Sequence, residues 1–260
     1  MQKKLLTLVL MLIAAINTFA YDFESNGIYY EILSKEKHTC AVTNQSETSS
    51  KEYAGNIVIP STVQDNDGVD YTVSAISGYA FGGCVELQSV VIPNTVIEIG
   101  DDAFGRCSSL SNITFQSGHK ELYLSDYNND GPLFAECSLD SVFIGRNLPS
   151  KTDVAYIDSS PFSKSKMLRS VYVSDSVTYI GKCCFRDCEN LEHVYGMNKV
   201  DSIGDHSFAG TKIKKFCAPS LRTFGEYGYA FDKCQNLEEI VLGKIEDVTD
   251  YHIGDCPNLR

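Results

Sequence analysis

The chain has 260 residues, 43% of them hydrophobic, and a formal net charge of −12. An acidic surface repels nucleic acid and anionic membranes, so we expect neither as a partner. The sequence also contains no metalloprotease motif, no nucleophile elbow and no glycine-rich phosphate loop.

The N-terminus has the layout of a cleavable secretory signal peptide. Lys3 and Lys4 precede the apolar run Leu5–Ile16, and the small residues Thr18 and Ala20 follow it. This run of 12 residues is too short to span a bilayer, and no other long apolar stretch exists. We therefore predict a signal peptide over residues 1–20, a secreted or cell-surface location, and no membrane insertion of the mature chain.

Residues 21–54 are rich in β-forming side chains. Two such segments, Gly27–Leu33 and Cys40–Val42, are separated by the charged stretch Ser34–His38, which predicts a hairpin. Because the end of a repetitive core must be covered, we expect this hairpin to act as an N-terminal cap.

A repeat begins near residue 55 and continues to residue 260. Phenylalanine recurs at a period of 23 residues from Phe81 to Phe104, and again from Phe185 through Phe208 to Phe231. A period of this length predicts a solenoid, in which each unit packs only against its neighbours.

Each unit is predicted to contain one strand and one short helical turn. Leu87–Ile92 has alternating apolar positions and precedes Pro93, as a strand would. Ala103, Phe104 and Cys107 have the spacing of an apolar helical face. We therefore predict an α/β repeat solenoid, a curved rod with a parallel, concave sheet.

Two longer, degenerate units, anchored on Phe134 and Phe162, interrupt the regular ones. Their extra residues, Ser117–Gly131 and Asn147–Ser160, are polar and predict surface loops. The count is about eight units, the last one incomplete at Leu259. A fragment, an abrupt end, or another chain covering Leu259 are all compatible with this pattern.

The unit C-x-x-L-x-x-V-x-I-P-x-x-V-x-x-I-G-x-x-A-F, here Cys84 through Phe104, resembles the BspA-type leucine-rich repeat. The resemblance covers roughly residues 55–260, with departures at Ser165, Thr211 and Ile253. It implies secreted or surface-displayed proteins of host-associated bacteria that bind proteins or cells, and it carries over no catalytic residue.

Ten cysteines in an exported chain suggest disulfides, but their register favours buried thiols. Six share one slot of the repeat, and Cys184 takes a small-residue slot. The remaining three, Cys40, Cys183 and Cys217, fall outside core slots, and the sequence leaves their pairing open. The shared slot holds Cys84, Cys107, Cys137, Cys188, Cys234 and Cys256.

Enzymatic and metal-binding interpretations have little support. The five histidines occupy different units and slots. The acidic cluster Asp126–Asp130 lacks the offsets of a calcium loop, so a solvated loop is the better interpretation. His193 and Cys217 would be neighbours if adjacent strands align, but no orienting residue accompanies them. We expect no catalytic residue, no cofactor and no metal.

The alternation within each strand predicts which side chains face solvent. The residue after the central valine is aromatic in three consecutive units, and the residue before it is polar or charged. We predict that the resulting concave face binds a partner, although cross-strand stacking alone would also explain the aromatics. The predicted partner-binding residues are Phe143, Tyr172, Tyr195, His193, Lys215 and Glu239.

These observations predict an exported, non-enzymatic binding protein. The expected ligand is a protein or glycoprotein, including host extracellular matrix, and the resemblance implies adhesion to host or neighbouring cells. Two alternatives remain open. One is a carbohydrate-binding protein that uses the same aromatics, and the other is a structural spacer in a chain that continues past Arg260.

Overall fold

The computed structural model describes residues 20–45, 53–124, 133–134, 136–149, 161–245 and 252–260. Residues 1–19 of the predicted signal peptide, the cluster Asp126–Asp130, residues 125–131 of the first predicted loop and residues 150–160 of the second lie outside the described residues.

The described residues are built almost entirely from short β-strands. Their one helix is a 3₁₀ turn at Met197–Lys199. The strands are β1 (Phe23–Ser25), β2 (Ile28–Ser34), β3 (Thr39–Thr43), β4 (Gly55–Val58), β5 (Thr62–Gln64), β6 (Asp70–Ile76), β7 (Leu87–Ile92), β8 (Glu98–Ile99), β9 (Asn112–Phe115), β10 (Tyr123–Leu124), β11 (Ser141–Ile144), β12 (Ser170–Val173), β13 (Tyr179–Ile180), β14 (His193–Tyr195), β15 (Ser202–Ile203), β16 (Lys215–Ala218), β17 (Thr223–Phe224) and β18 (Glu239–Leu242).

The largest parallel sheet, called the main sheet below, has six strands in the order β14-β12-β11-β9-β7-β4. Its register aligns the same position of each unit, so that Val90 pairs with Ile113 and Val142 with Val171. These four side chains are buried, and the side chains that alternate with them along each strand face outward. The predicted strand Leu87–Ile92 is confirmed with the predicted bounds.

A second row of two-residue strands was not predicted. Ile99 in β8 pairs with Ile76 in β6 and with Leu124 in β10, while β13, β15 and β17 form a similar parallel sheet. Glycine after the isoleucine permits this approach, because a Cβ on Gly100 would lie 2.5 Å from the backbone nitrogen of Gly78. In these units the V-x-x-I-G segment thus forms two further sheets: β6, β8 and β10 belong to one, called the second sheet below, and β13, β15 and β17 form the other.

At the N-terminus, β2 pairs antiparallel with both β1 and β3. Strand β3 then pairs in parallel with β6, which joins these strands to the second sheet. The capping role that we assigned to this segment stays a prediction.

The predicted helical turns are wrong, because the phenylalanine-bearing segments are tight turns. Gly82 N–H donates to Tyr79 O at 2.9 Å, a three-residue spacing, and Phe81 N–H donates to Ala103 O of the next unit at 2.8 Å. Tyr79 has a φ of 60°. A backbone that donates alternate N–H groups to the neighbouring turn cannot also form α-helical bonds. The described fold is therefore a β-solenoid, and the predicted α component is absent from it.

The core is a column of stacked phenylalanine rings. Successive ring centroids lie 5.0 to 5.6 Å apart. Each ring therefore packs against the units on both sides. The stacked residues are Phe81, Phe104, Phe134, Phe162, Phe185, Phe208 and Phe231.

The cysteine slot lies beside this column, and no disulfide joins any of the ten cysteines. Within the slot, Cys107 donates to Phe81 O at 3.0 Å and Cys188 donates to Phe162 O at 3.0 Å. A small thiol thus fills the slot and satisfies a backbone carbonyl. Of the three cysteines assigned outside core slots, Cys40 and Cys183 are nevertheless buried, and Cys217 is exposed.

Arg146 is a fully buried cation that the sequence pattern does not reveal. Its Nη1 donates to the carbonyls of Asn94 and Val96, and its Nη2 donates to Pro93 O, at 2.6 to 2.9 Å. Burial lowers its pKa to about 10. The side chain ties the loop after β11 to the loop after β7, passing the strand that lies between them.

Candidate partner-binding surface

The outer side of the main sheet brings three of the predicted aromatics into one row. Phe143 on β11 pairs with Tyr172 on β12, which pairs with Tyr195 on β14. We call these three residues the aromatic row. Strand alternation and the parallel register explain the alignment, since parallel strands in register place equivalent positions side by side even where one unit is longer than another.

The two tyrosines of the row are exposed and stacked on each other. Their ring centroids lie 5.1 Å apart with an interplanar angle of 21°. Tyr172 is 45% exposed and Tyr195 is 48% exposed, whereas Phe143 is half-buried. Both roles considered for the aromatics, cross-strand stacking and solvent exposure, therefore hold at once.

A row of uncharged polar residues runs beside the aromatic row. Ser89 donates to Asn56 Oδ1 and Ser141 donates to Asn112 Oδ1, each at 2.6 Å. These bonds between adjacent strands hold the side chains in fixed positions. We call this set the polar row, which comprises Asn56, Ser89, Asn112, Ser141 and Ser170.

His193 ends the polar row on β14 and contributes to both rows. Its ring lies 5.8 Å from that of Tyr195, nearly parallel, with an interplanar angle of 20°. Its Nε2 lies 3.9 Å from a carboxylate oxygen of Glu192. The structure thus places His193 with the aromatic row.

Lys215 and Glu239 lie elsewhere. They belong to β16 and β18, which form a separate two-stranded sheet. Lys215 Nζ lies 2.8 Å from Glu239 Oε2, and this hydrogen bond raises the pKa of Lys215. Each charge neutralises the other, so the pair presents little net charge to a partner.

The flanking charges near the aromatic row also alternate in sign. Arg169 Nε lies 3.8 Å from Asp140 Oδ1, with both side chains exposed. The surface around the aromatic row therefore lacks a single-sign field, although the chain as a whole is acidic.

The family is decided by a sequence match that spans most of the chain. A sequence model described as the BspA type leucine rich repeat region, in six copies, matches residues 74–153, 130–238 and 155–260. The chain belongs to this family. Its fold is accordingly a leucine-rich-repeat β-solenoid of about six turns with parallel sheets. The higher count of eight units stays a prediction.

One solved structure supports the same fold, and two others are similar to a lower degree. A leucine rich cell surface protein from Faecalibacterium prausnitzii is similar with a TM-score of 0.54 and 24% identity, over 85% of this chain and 54% of that one. The T. pallidum leucine rich repeat protein gives a TM-score of 0.48 and 24% identity, over 87% of this chain and 84% of that one. A leucine-rich repeat protein from Bacteroides ovatus gives a TM-score of 0.40 and 22% identity, over 92% of this chain and 70% of that one.

This leucine-rich-repeat chain therefore spans about half the length of the F. prausnitzii protein. Similarity at this level of identity establishes the fold alone. No curated protein matches the chain.

Among the residues of the leucine-rich-repeat chain that the structure describes, no group of three or more His, Cys, Asp or Glu side chains is arranged to hold a metal ion. None of the described helices has the length and apolar character needed to cross a bilayer. His193 and Cys217 lie on β14 and β16, which belong to different sheets.

Among the described residues, three exposed tyrosines lie outside the predicted face, namely Tyr79, Tyr123 and Tyr227, and Tyr227 is the most exposed of them. Tyr227 is 67% exposed in the turn after β17, with Lys182 Nζ 5.5 Å from its ring centroid. No slot of the repeat pattern marks this position, so the sequence did not single it out. Tyr227 is thus an exposed tyrosine that lies far from the aromatic row in the sequence.

Proposed function

We propose that this chain is an exported, non-enzymatic surface protein that recognises a protein partner through the outer side of the main sheet. The observation that carries the proposal is the exposed stack of Tyr172 on Tyr195. Two large rings held in one geometry by paired strands give up little further conformational freedom on binding.

The composition of the surface fits protein recognition. Tyrosine supplies rigid contact area and a hydroxyl, while serine and asparagine supply hydrogen bonds, and this combination is typical of protein-binding paratopes. Here the aromatic row provides the first component and the polar row the second. Because the neighbouring charges pair with one another, we expect binding to depend only weakly on salt.

The ring geometry favours a protein over a carbohydrate. A sugar ring binds best on an open aromatic face, but Tyr172 and Tyr195 turn one face of each ring toward the other. What the stack offers is ring edges, hydroxyl groups and one outer face. A protein side chain can use edges and hydroxyls, so a protein or glycoprotein ligand, including extracellular matrix, is the better fit.

Export and surface display rest on two supports. The N-terminal residues have the pattern of a signal peptide, and the fold of the chain is similar to that of a leucine rich cell surface protein of known structure. The concavity of the binding face and adhesion to cells are part of the same proposal.

A double substitution, Tyr172→Ser with Tyr195→Ser, tests the function. We expect a nearly unchanged melting temperature and a binding loss of about tenfold or more to immobilised matrix proteins and intact cells, because exposed aromatic anchors commonly contribute about 2 kcal/mol each. Tyr227→Ser is the matched control and should bind as the unchanged protein does. Glu239→Lys should alter binding only modestly.

Three outcomes would contradict the proposal. Undiminished binding by the folded double variant would move the site to another surface. Saturable binding on a glycan array that survives competition by matrix proteins would favour the carbohydrate alternative. Absence of binding by the unchanged protein and by every variant would favour the spacer alternative.

A further inference from the structure

The cysteine slot is interrupted at two units, and this divides its thiols into groups. Ser165 and Thr211 occupy the slot on either side of Cys188, so this thiol has no cysteine in an adjacent unit. Cys234 and Cys256, by contrast, fill consecutive slots. Because Thr211 separates them from the other cysteines of the slot, these two residues form a pair.

The backbone holds these two residues side by side. Lys233 N–H donates to Gly254 O at 3.2 Å, which joins the two turns next to the cysteines. Cys234 donates to Phe208 O at 3.2 Å, and Cys256 makes the equivalent bond to Phe231 O at 3.1 Å. Neighbours in a parallel ladder are about 4.8 Å apart, within the Cα separation of roughly 4.4–6.8 Å that a disulfide spans.

The two thiols differ in access and in charge. Cys234 is fully buried, whereas Cys256 is half-buried. The interaction between the neighbouring sulfurs lowers the pKa of Cys256 and raises that of Cys234. The more accessible sulfur therefore has the greater thiolate character, which is the form that attacks a disulfide.

We propose that Cys256 and Cys234 form a dithiol site that reacts with a small-molecule disulfide and closes to a bond between the last two described turns. The Cys256 thiolate attacks one sulfur of the small disulfide, forms a mixed disulfide and releases one small thiolate. Cys234 then attacks the Cys256 sulfur and expels the second small thiolate, which takes up the proton that Cys234 loses. The protein dithiol is oxidised by two electrons and the small disulfide is reduced to two thiols.

The second step is possible although Cys234 begins as a buried thiol with a raised pKa. The contact with Cys256 is the largest cause of its raised pKa. Once Cys256 is held in a mixed disulfide it carries no negative charge, so that cause disappears. Cys234 then lies next to the sulfur it must attack, while Cys188 has no such partner.

The product is a disulfide bond at the described turn whose apolar side chains are least buried. Ile240, Leu242 and Leu259 are only partly buried there, whereas their equivalents one unit earlier are fully buried, namely Phe216, Ala218 and Leu237. A bond from Cys256 to Cys234 would hold the turn 252–260 against the rest of the solenoid.

Oxidised glutathione is the probe for this proposal. The folded full chain is incubated with it at neutral pH, quenched with an alkylating reagent, digested and analysed by mass spectrometry. We expect a cross-linked peptide containing Cys234 and Cys256 with the loss of two hydrogens. Cys188 should be recovered as an alkylated thiol after denaturation, and amide exchange in residues 252–260 should slow on oxidation.

Two variants test the order of the steps. Cys234→Ser should stop at a stable glutathione adduct on Cys256, and Cys256→Ser should leave Cys234 unmodified. The proposal is overturned if the unchanged protein retains a glutathione adduct on Cys256 without the cross-link, if neither cysteine reacts, or if cross-links to Cys188 form to the same extent. Because these outcomes are read from the unchanged protein, they stand even where a variant folds poorly.

Discussion

The rings of Phe81 and Phe104 stack with their centroids 5.0 Å apart and an interplanar angle of 5°. The two residues belong to adjacent turns, so this contact joins one turn of the solenoid to the next. Phe104 makes a second such contact with Phe134, at 5.3 Å. In a repeat protein whose stability depends on interfaces between neighbours, one ring thus supports two interfaces.

Replacing Phe104 by Ala should reduce the free energy of unfolding by about 3–5 kcal/mol, because it removes a buried ring and leaves a cavity between two turns. Phe143→Ala is the control, since Phe143 is half-buried on the outer side of the main sheet, and it should cost far less. Urea denaturation followed by circular dichroism measures both. A loss below about 1 kcal/mol for Phe104→Ala would contradict the stacked-column interpretation.

Replacing Arg146 by Met should destabilise the protein by about 3 kcal/mol or more, because the carbonyls of Pro93, Asn94 and Val96 lose a buried donor. Arg169→Met is the matched control. Its side chain is 67% exposed and pairs with Asp140, so its loss should stay below about 1 kcal/mol. Equal midpoints for the two variants in a urea titration would show that Arg146 is not a structural brace.

Gly196→Ala should destabilise the protein by at least about 2 kcal/mol. Gly196 has a φ of 82°, and an added Cβ would lie 1.9 Å from the carbonyl oxygen of Val173 on the adjacent strand. Gly27 has a similar φ of 76° but open space around it, so Gly27→Ala isolates the backbone cost of about 1–2 kcal/mol. Thermal melts compare the two, and a smaller shift for Gly196→Ala would contradict the close strand contact.

Stability should fall as the pH rises above about 9. Burial raises the pKa of Cys40 from its ordinary value of 9.0 to about 12. Between these values the unfolded chain loses the thiol proton and the folded chain keeps it, so rising pH favours unfolding, by up to roughly 1.4 kcal/mol per pH unit.

Cys40→Ala tests this dependence. The variant should be less stable at neutral pH, yet its stability should decline less steeply in the alkaline range. Urea denaturation of both proteins at several pH values from about 8 to about 10.5 gives the two slopes. Parallel slopes would mean that Cys40 does not retain its proton in the folded state.

The strand positions could be predicted from the sequence because they depend on local pattern. Leu87–Ile92 alternates apolar and polar residues, and its inward side chains Val90 and Ile92 are buried as expected. The aromatic row could be predicted for the same reason, since strand alternation and a common register bring equivalent residues of neighbouring units together. Neither prediction required knowledge of distant contacts.

The turns were mispredicted because apolar spacing does not distinguish a helical turn from stacked tight turns. Ala103, Phe104 and Cys107 would share a face in either conformation. The choice is made by hydrogen bonds between units, such as that from Phe81 N–H to Ala103 O at 2.8 Å. These bonds compete with helical bonds and are invisible in the sequence of a single unit.

The period of this sequence by itself determines the solenoid, the equivalence of its units and the residues that lie side by side along the main sheet. The tertiary structure alone decides that Tyr172 and Tyr195 turn their faces toward each other, that Lys215 and Glu239 leave the main sheet, and that Arg146 reaches a loop beyond its neighbouring strand. Periodic order follows from interactions between adjacent units, which repeat with the sequence. Ring orientation, sheet breaks and bridging contacts depend instead on local departures from the repeat, and packing in three dimensions resolves those.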